Sequence, residues 1–192
     1  MFSIERKKDK RIVHAFTHRC ADISNGVNVA TADFIQTFVA EGTPVGRDSN
    51  GLYHIVKTAE VAIAVGTSDT TITVKKGHNF KVGEHVFAKV GGKSYTITAI
   101  QTSQTDNSLD VITINTTLGI AIAVGSVIAQ GEKEGASAGA YKYKPIGLLG
   151  ESYDVQTLSN CPANVVTIGQ VKAANIPTLG IVADELKTIV LI

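Results

Sequence analysis

Between Gly42 and His54 the chain reads Gly-Thr-Pro-Val-Gly-Arg-Asp-Ser-Asn-Gly-Leu-Tyr-His, and no other stretch limits the fold so strictly. Pro44 fixes its own φ and pushes Thr43 toward extended geometry, so Thr43 to Arg47 enters a strand. Asp48-Ser49-Asn50-Gly51 follows as a turn, because Asp and Asn side chains bond nearby backbone and Gly takes a positive φ at no steric cost. Leu52 to Val56, aromatic and β-branched, returns as the second strand of a hairpin.

Composition points the same way. Thr, Val and Ile are abundant, glycine counts 18, tryptophan is absent, and aromatic residues make up 6%. This profile suits an all-β protein whose core is filled by small β-branched side chains. The 192 residues, 44% apolar and 18% charged, are enough for a real core and argue against disorder over most of the length. A formal charge of +1 argues against wholesale nucleic-acid binding. Cys20 and Cys161 are far apart with no paired spacing, which favours two reduced thiols over one long-range disulfide. The N-terminus lacks the apolar stretch of a usual signal peptide. The longest apolar run, Leu118 to Ala129, is short for a bilayer and broken by Gly119, Gly125 and Ser126. A soluble protein made in a cytoplasm is expected, with no membrane partner.

Residues 1–19 form a basic arm. Arg6, Lys7, Lys8, Lys10, Arg11 and Arg19 against Glu5 and Asp9 give the arm a net charge of +4. It reads as a solvated terminus, as an arm that orders on a negatively charged partner surface, or as a nucleic-acid contact, for which no aromatic interleaving speaks. Beyond it, Asn25-Gly26 marks a turn and Val27 to Ala30 a short strand, with one or two helical turns over Thr31 to Phe38 capped by Thr31. From 59 to 130 the texture changes to short period-two strands: Ile72 and Val74; Val86, Ala88 and Val90; Tyr95, Ile97 and Ala99; Ile112 and Ile114. Five or six strands in about 70 residues read as a small barrel or sandwich. Ala62-Ile63-Ala64-Val65-Gly66 recurs as Ala121-Ile122-Ala123-Val124-Gly125. If the two copies lie side by side, the ends of this module meet, as an inserted domain requires. Residues 131–140, small and charged, read as a flexible connector. Strand texture resumes over 141–192, and the apolar Leu186 to Ile192 is expected against the core or another subunit.

The search for chemistry mostly removes possibilities. His14 and His18 stand four apart, but no acidic residue lies between them, and no histidine has a zinc spacing with cysteine. Gly91-Gly92-Lys93-Ser94 fails the phosphate-loop spacing and reads as a tight turn between strands. Gly147 to Ser152 is not a nucleophile elbow. Glu132 and Glu134 form a carboxylate pair, but in the expected connector, where nothing would hold them rigid. No catalytic, cofactor or metal residue is assigned, and an enzyme is not expected.

The residues Gly42-Thr43-Pro44-Val45-Gly46-Arg47-Asp48-x-x-Gly51-Leu52-Tyr53 resemble a motif of tailed-phage head decoration and head-fibre proteins. In that family the hairpin is followed by a strand like Pro145-Ile146-Gly147-Leu148-Leu149. Next come a strand like Asn164 to Val171 and an Ala-x-x-Pro stretch, here Ala174-Asn175-Ile176-Pro177. The order matches when 59–140 is set aside, so the resemblance covers two pieces, about half the chain. It implies an all-β, split, capsid-binding base domain over 20–58 and 141–192, interrupted by the 59–130 module. It further implies a virion structural protein on the outer capsid surface, a homotrimer, with the major capsid protein as partner. Arg6, Lys7, Lys8, Lys10 and Arg11 would then be capsid contacts. The alternative is an extracellular module recognising host glycan or protein through 60–130, although the lack of Trp leaves no evident stacking platform for sugars there. A hydrolase or lyase on a β-scaffold is a distant third.

Overall fold

The computed structural model describes residues 14–155 and 160–192. Its strands in chain order are β1 (Phe16–Asp22), β2 (Val27–Val29), β3 (Phe38–Val39), β4 (Pro44–Arg47), β5 (Tyr53–Ile55), β6 (Thr58–Glu60), β7 (Thr71–Lys75) and β8 (His85–Phe87). They continue as β9 (Ser94–Thr102), β10 (Leu109–Ile114), β11 (Val127–Gly131), β12 (Pro145–Leu149), β13 (Tyr153–Asp154), β14 (Cys161–Ala163), β15 (Val165–Val171) and β16 (Ile189–Leu191). Helical geometry among the described residues is confined to short 3-10 turns at Thr31–Asp33, Ala173–Asn175 and Pro177–Val182. The protein is all-β.

The opening hairpin forms with Val45 opposite Ile55, Gly46 opposite His54 and Arg47 opposite Tyr53. The Asp48 carboxylate accepts the N–H groups of Asn50 (2.9 Å) and Leu52 (2.8 Å), and Gly51 sits at φ 92°, a value that strains any residue with a Cβ. The turn therefore closes by the side-chain mechanism its sequence dictates.

Two larger sheets divide the chain. The first has the order β1-β15-β12-β4-β5-β2-β14, with β16 parallel to β15. On one edge of β15, β12 pairs at Val165 and Val166, and β16 takes over from Gly169 to Val171. The second, β6-β11-β8-β9-β10-β7, uses only residues 58–131. A bridge between Val61 and Val74 joins its two ends, so the strands form a small ring. Val61, Ile72, Val74, Phe80, Val86, Ile97, Ile112 and Ile128 fill the ring as one buried cluster. The two copies of the repeated pentapeptide do run side by side: Val65 and Ile122 exchange both backbone hydrogen bonds at 2.9 Å.

The sheets share a core. Val86 and Ile128 point into the ring, while their neighbours Phe87 and Ala129 belong to a second cluster with Leu148, Val166, Val171, Leu179, Val182 and Leu186. Phe87 meets Tyr141 edge-on at 5.1 Å, and the Tyr141 hydroxyl donates to the Ile181 carbonyl at 2.8 Å. β8 and β11 thus bury both faces. A third cluster, with Val29, Val45, Ile55, Leu149 and Val165, lies on the other face of the first sheet, beside the β3–β13 ribbon.

The strand that pairs with 145–149 is β4, and β5 lies one strand beyond it, paired with β4 and β2. His54 still reaches across to stack on Tyr143. Residues 131–140 are not a loose connector: Gly135 and Ser94 exchange two backbone bonds, as do Gly139 and the Gly91–Gly92 turn. A Cβ at Gly139 would lie 2.5 Å from the Lys89 carbonyl oxygen, so only glycine lets the strap lie this close. Thr31 is not a helix cap; it lies inside a single 3-10 turn, and Phe38 is drawn into β3 instead. The basic arm stops short of 19, since Phe16 to Arg19 belongs to β1. The apolar C-terminal segment divides, with Leu186 and Ile189 buried and Val190, Leu191 and Ile192 exposed.

Candidate functional site

Arg6, Lys7, Lys8, Lys10 and Arg11 lie outside the described residues. What is described is where the arm joins the fold. Glu41, whose side chain is 3% exposed, accepts the N–H groups of Ala15 (3.2 Å) and Phe16 (3.1 Å) and contacts Arg19 (3.3 Å) and His14 (3.2 Å). The Asn175 amide donates to the His14 carbonyl at 2.8 Å. A buried carboxylate that satisfies several donors at once holds them firmly. The chain that follows the arm is therefore fixed at the end of β1.

The second feature is a run of charge across the seam between the sheets. The His54 ring is buried, with Nδ1 2.5 Å from Asp33 and Nε2 3.6 Å from Asp48, and stacks on Tyr143 at 3.9 Å. Lys57, 1% exposed, donates to Glu84 at 2.5 Å. The Lys81 ammonium donates to the Ala32 carbonyl (2.6 Å), and the Asn79 side-chain oxygen accepts the Ile35 N–H (2.8 Å). The loop after β2 is thus tied to the 78–84 turns of the ring. Burial pushes the Lys57 amine down, and Glu84 only partly restores it. Burial pulls the Asp48 carboxyl up, but the Leu52 and Asn50 N–H groups and His54 outweigh it and leave the carboxyl below its usual range. His54 meets two carboxylates and an aromatic ring, and no hydroxyl or thiol among the described residues is bonded to it. This cluster ties segments together; it holds no acyl-transfer arrangement.

The third feature is a groove of about 850 Å³ beside the hairpin turn, lined by turns 22–28 and 47–53 and by Tyr153 and 162–164. The Arg47 guanidinium lies over the Tyr53 ring at 5.9 Å and against Gly51, where a Cβ would fall 2.8 Å from its nitrogen. Tyr153 accepts the Asn164 N–H at 2.8 Å. Among the described residues no group of three His, Cys, Asp or Glu side chains converges as a metal site, and Cys20 and Cys161 are both free. No helix among them is long and apolar enough to cross a membrane.

The chain matches no protein-family model, no curated protein and no solved structure. Sequence reasoning singled out Arg47 and Tyr53 as motif residues but missed the groove. Its asparagines, at 25, 28, 50 and 164, come from three separate segments, and no spacing unites them. Glu41 was missed for a related reason: a lone acid beside glycine carries no signal until β1 folds over it.

Proposed function

We propose that this chain is a capsid decoration protein of the tailed-phage type, docking on the outside of an assembled head and carrying 58–131 as a module on a split base. The observation that supports this reading is spatial. Of the segments bearing the resemblance, 44–47 with 53–55, 145–149 and 165–171 are consecutive neighbours β5-β4-β12-β15 in one sheet, and Ala174–Pro177 follows in the 3-10 turns after β15. A motif set scattered over the chain thus belongs to a single surface-building unit, while 58–131 adds a separate ring to it. The basic residues 1–13 immediately precede in sequence the stretch that Glu41 anchors, the place in the chain that a docking arm needs. Low overall charge and no assigned catalytic residue suit a protein that acts by many modest contacts.

The test is binding of the purified protein to mature shells that lack it, followed by sedimentation. Saturable binding is expected, weakened by deletion of residues 1–13 and by added salt. Failure to bind expanded shells overturns the proposal; binding that ignores the deletion removes the arm from it. Solution mass is expected to give a trimer, and a monomer at working concentration overturns that part.

A further inference from the structure

We infer that the groove beside the hairpin turn is a binding site for an acidic saccharide, a hydroxyl-rich ligand carrying a carboxylate. This goes beyond capsid docking and does not depend on it. Among the described residues Arg47 is the only cation lining the groove, and Asp22 the only acid. Its guanidinium is braced by the Tyr53 ring and Gly51 and has no ion-pair partner among the described residues. A guanidinium without an ion-pair partner can take an incoming carboxylate in a bidentate pair. One cation suits a single carboxylate better than a polyphosphate or a densely sulfated chain.

The remaining chemistry selects hydroxyls. The side-chain amides of Asn25, Asn28 and Asn50 line the groove with no internal hydrogen bond among the described residues, and each offers a donor and an acceptor together. Vicinal hydroxyls, which also donate and accept, match that pattern. The volume of about 850 Å³ lies in the range of ligand sites, about 300–1,000 Å³. An acidic peptide is the less fitting occupant, since one cation cannot pair a run of carboxylates.

The experiment is calorimetric titration of the full chain with sialyllactose, trigalacturonate, lactose and a penta-glutamate peptide. At least one of the two acidic saccharides is expected to bind about tenfold or more tighter than lactose. Arg47→Gln is expected to lose about tenfold, the scale of one charge-assisted hydrogen-bonded pair, and Arg47→Lys to recover part of it. Amide spectra of both variants should match the parent, since Arg47 is exposed, and capsid binding should be unchanged. No binding by either acidic saccharide, equal binding by Arg47→Gln, or tighter binding of penta-glutamate overturns the inference.

Discussion

The ring over 58–131 and the eight-stranded sheet are built from the same β-branched residues, yet they solve opposite problems. The ring takes all six strands from one run of chain, and the Val61–Val74 bridge leaves it without two open ends. The larger sheet draws its strands from both sides of that run and keeps open edges at β1 and β14. The groove opens at one of those margins, beside β14. Closure removes edges and, with them, the backbone and side-chain groups a partner reads. Local contacts close the ring, although β8 and β11 also bury a face in the shared core, whereas the split sheet depends on distant segments finding each other.

The largest test of this contrast is Phe87→Ala. Phe87 stands on the ring but packs in the shared core, so its loss should cost about 3–5 kcal/mol. Hydrogen exchange is expected to show protection falling first in β12 and β15 while Ile72, Ile97 and Ile112 stay protected. Simultaneous loss in both sheets would break the comparison by showing one cooperative unit.

A smaller effect is expected at the charged seam. Glu84→Gln leaves the buried Lys57 ammonium without its carboxylate and should cost about 3 kcal/mol in urea unfolding. The double variant Lys57→Met with Glu84→Leu should recover most of that loss, because a well-packed apolar pair avoids the desolvation penalty. No recovery would mean that the pair specifies the seam rather than merely filling it.

The smallest effect is a difference in acid response. Burial pushes the His78 imidazole in the ring below its ordinary value, with Asp110 only partly offsetting it. The folded state therefore disfavours the protonated ring, and its contribution is complete above about pH 6.5 and declines as pH falls below that. Asp48 in the hairpin is held below its usual value, so its contribution is present above about pH 4 and is lost as pH falls through the lowered folded value. Exchange measured down a pH series should show the ring yielding first to mild acid, and His78→Gln should flatten that slope. Identical pH profiles in β4 and β7 would sink the distinction.

The sequence made some of this visible and hid the rest for definite reasons. Pro44, Asp48 and Gly51 announce the hairpin because each acts on its own backbone. The period-two residues Ile72, Val74, Ile97 and Ile112 announce the ring interior, and the pentapeptide echo announces its paired ends. Val86 and Phe87 defeat the same logic: consecutive buried residues arise when a strand is covered on both sides, which alternation cannot express. The strap over 131–140 looked structureless because its bonds are made by backbone and by Glu134, whose partners Thr96 and Asn115 are distant in sequence, and glycine and alanine advertise no partner. The groove was invisible because it is a meeting of turns, not a motif.

The strand order also sets a timetable. All strands of the ring have been synthesised once Gly131 is added, so it can fold on short-range contacts while the chain is still growing. β1 must wait for β15, its only neighbour, and β4 lacks a partner on one side until β12 appears. During that interval the first strands present unpaired edges. A ring that folds early between them brings Val56 and Tyr141 close together, and so shortens the search by which the older and younger halves of the sheet meet.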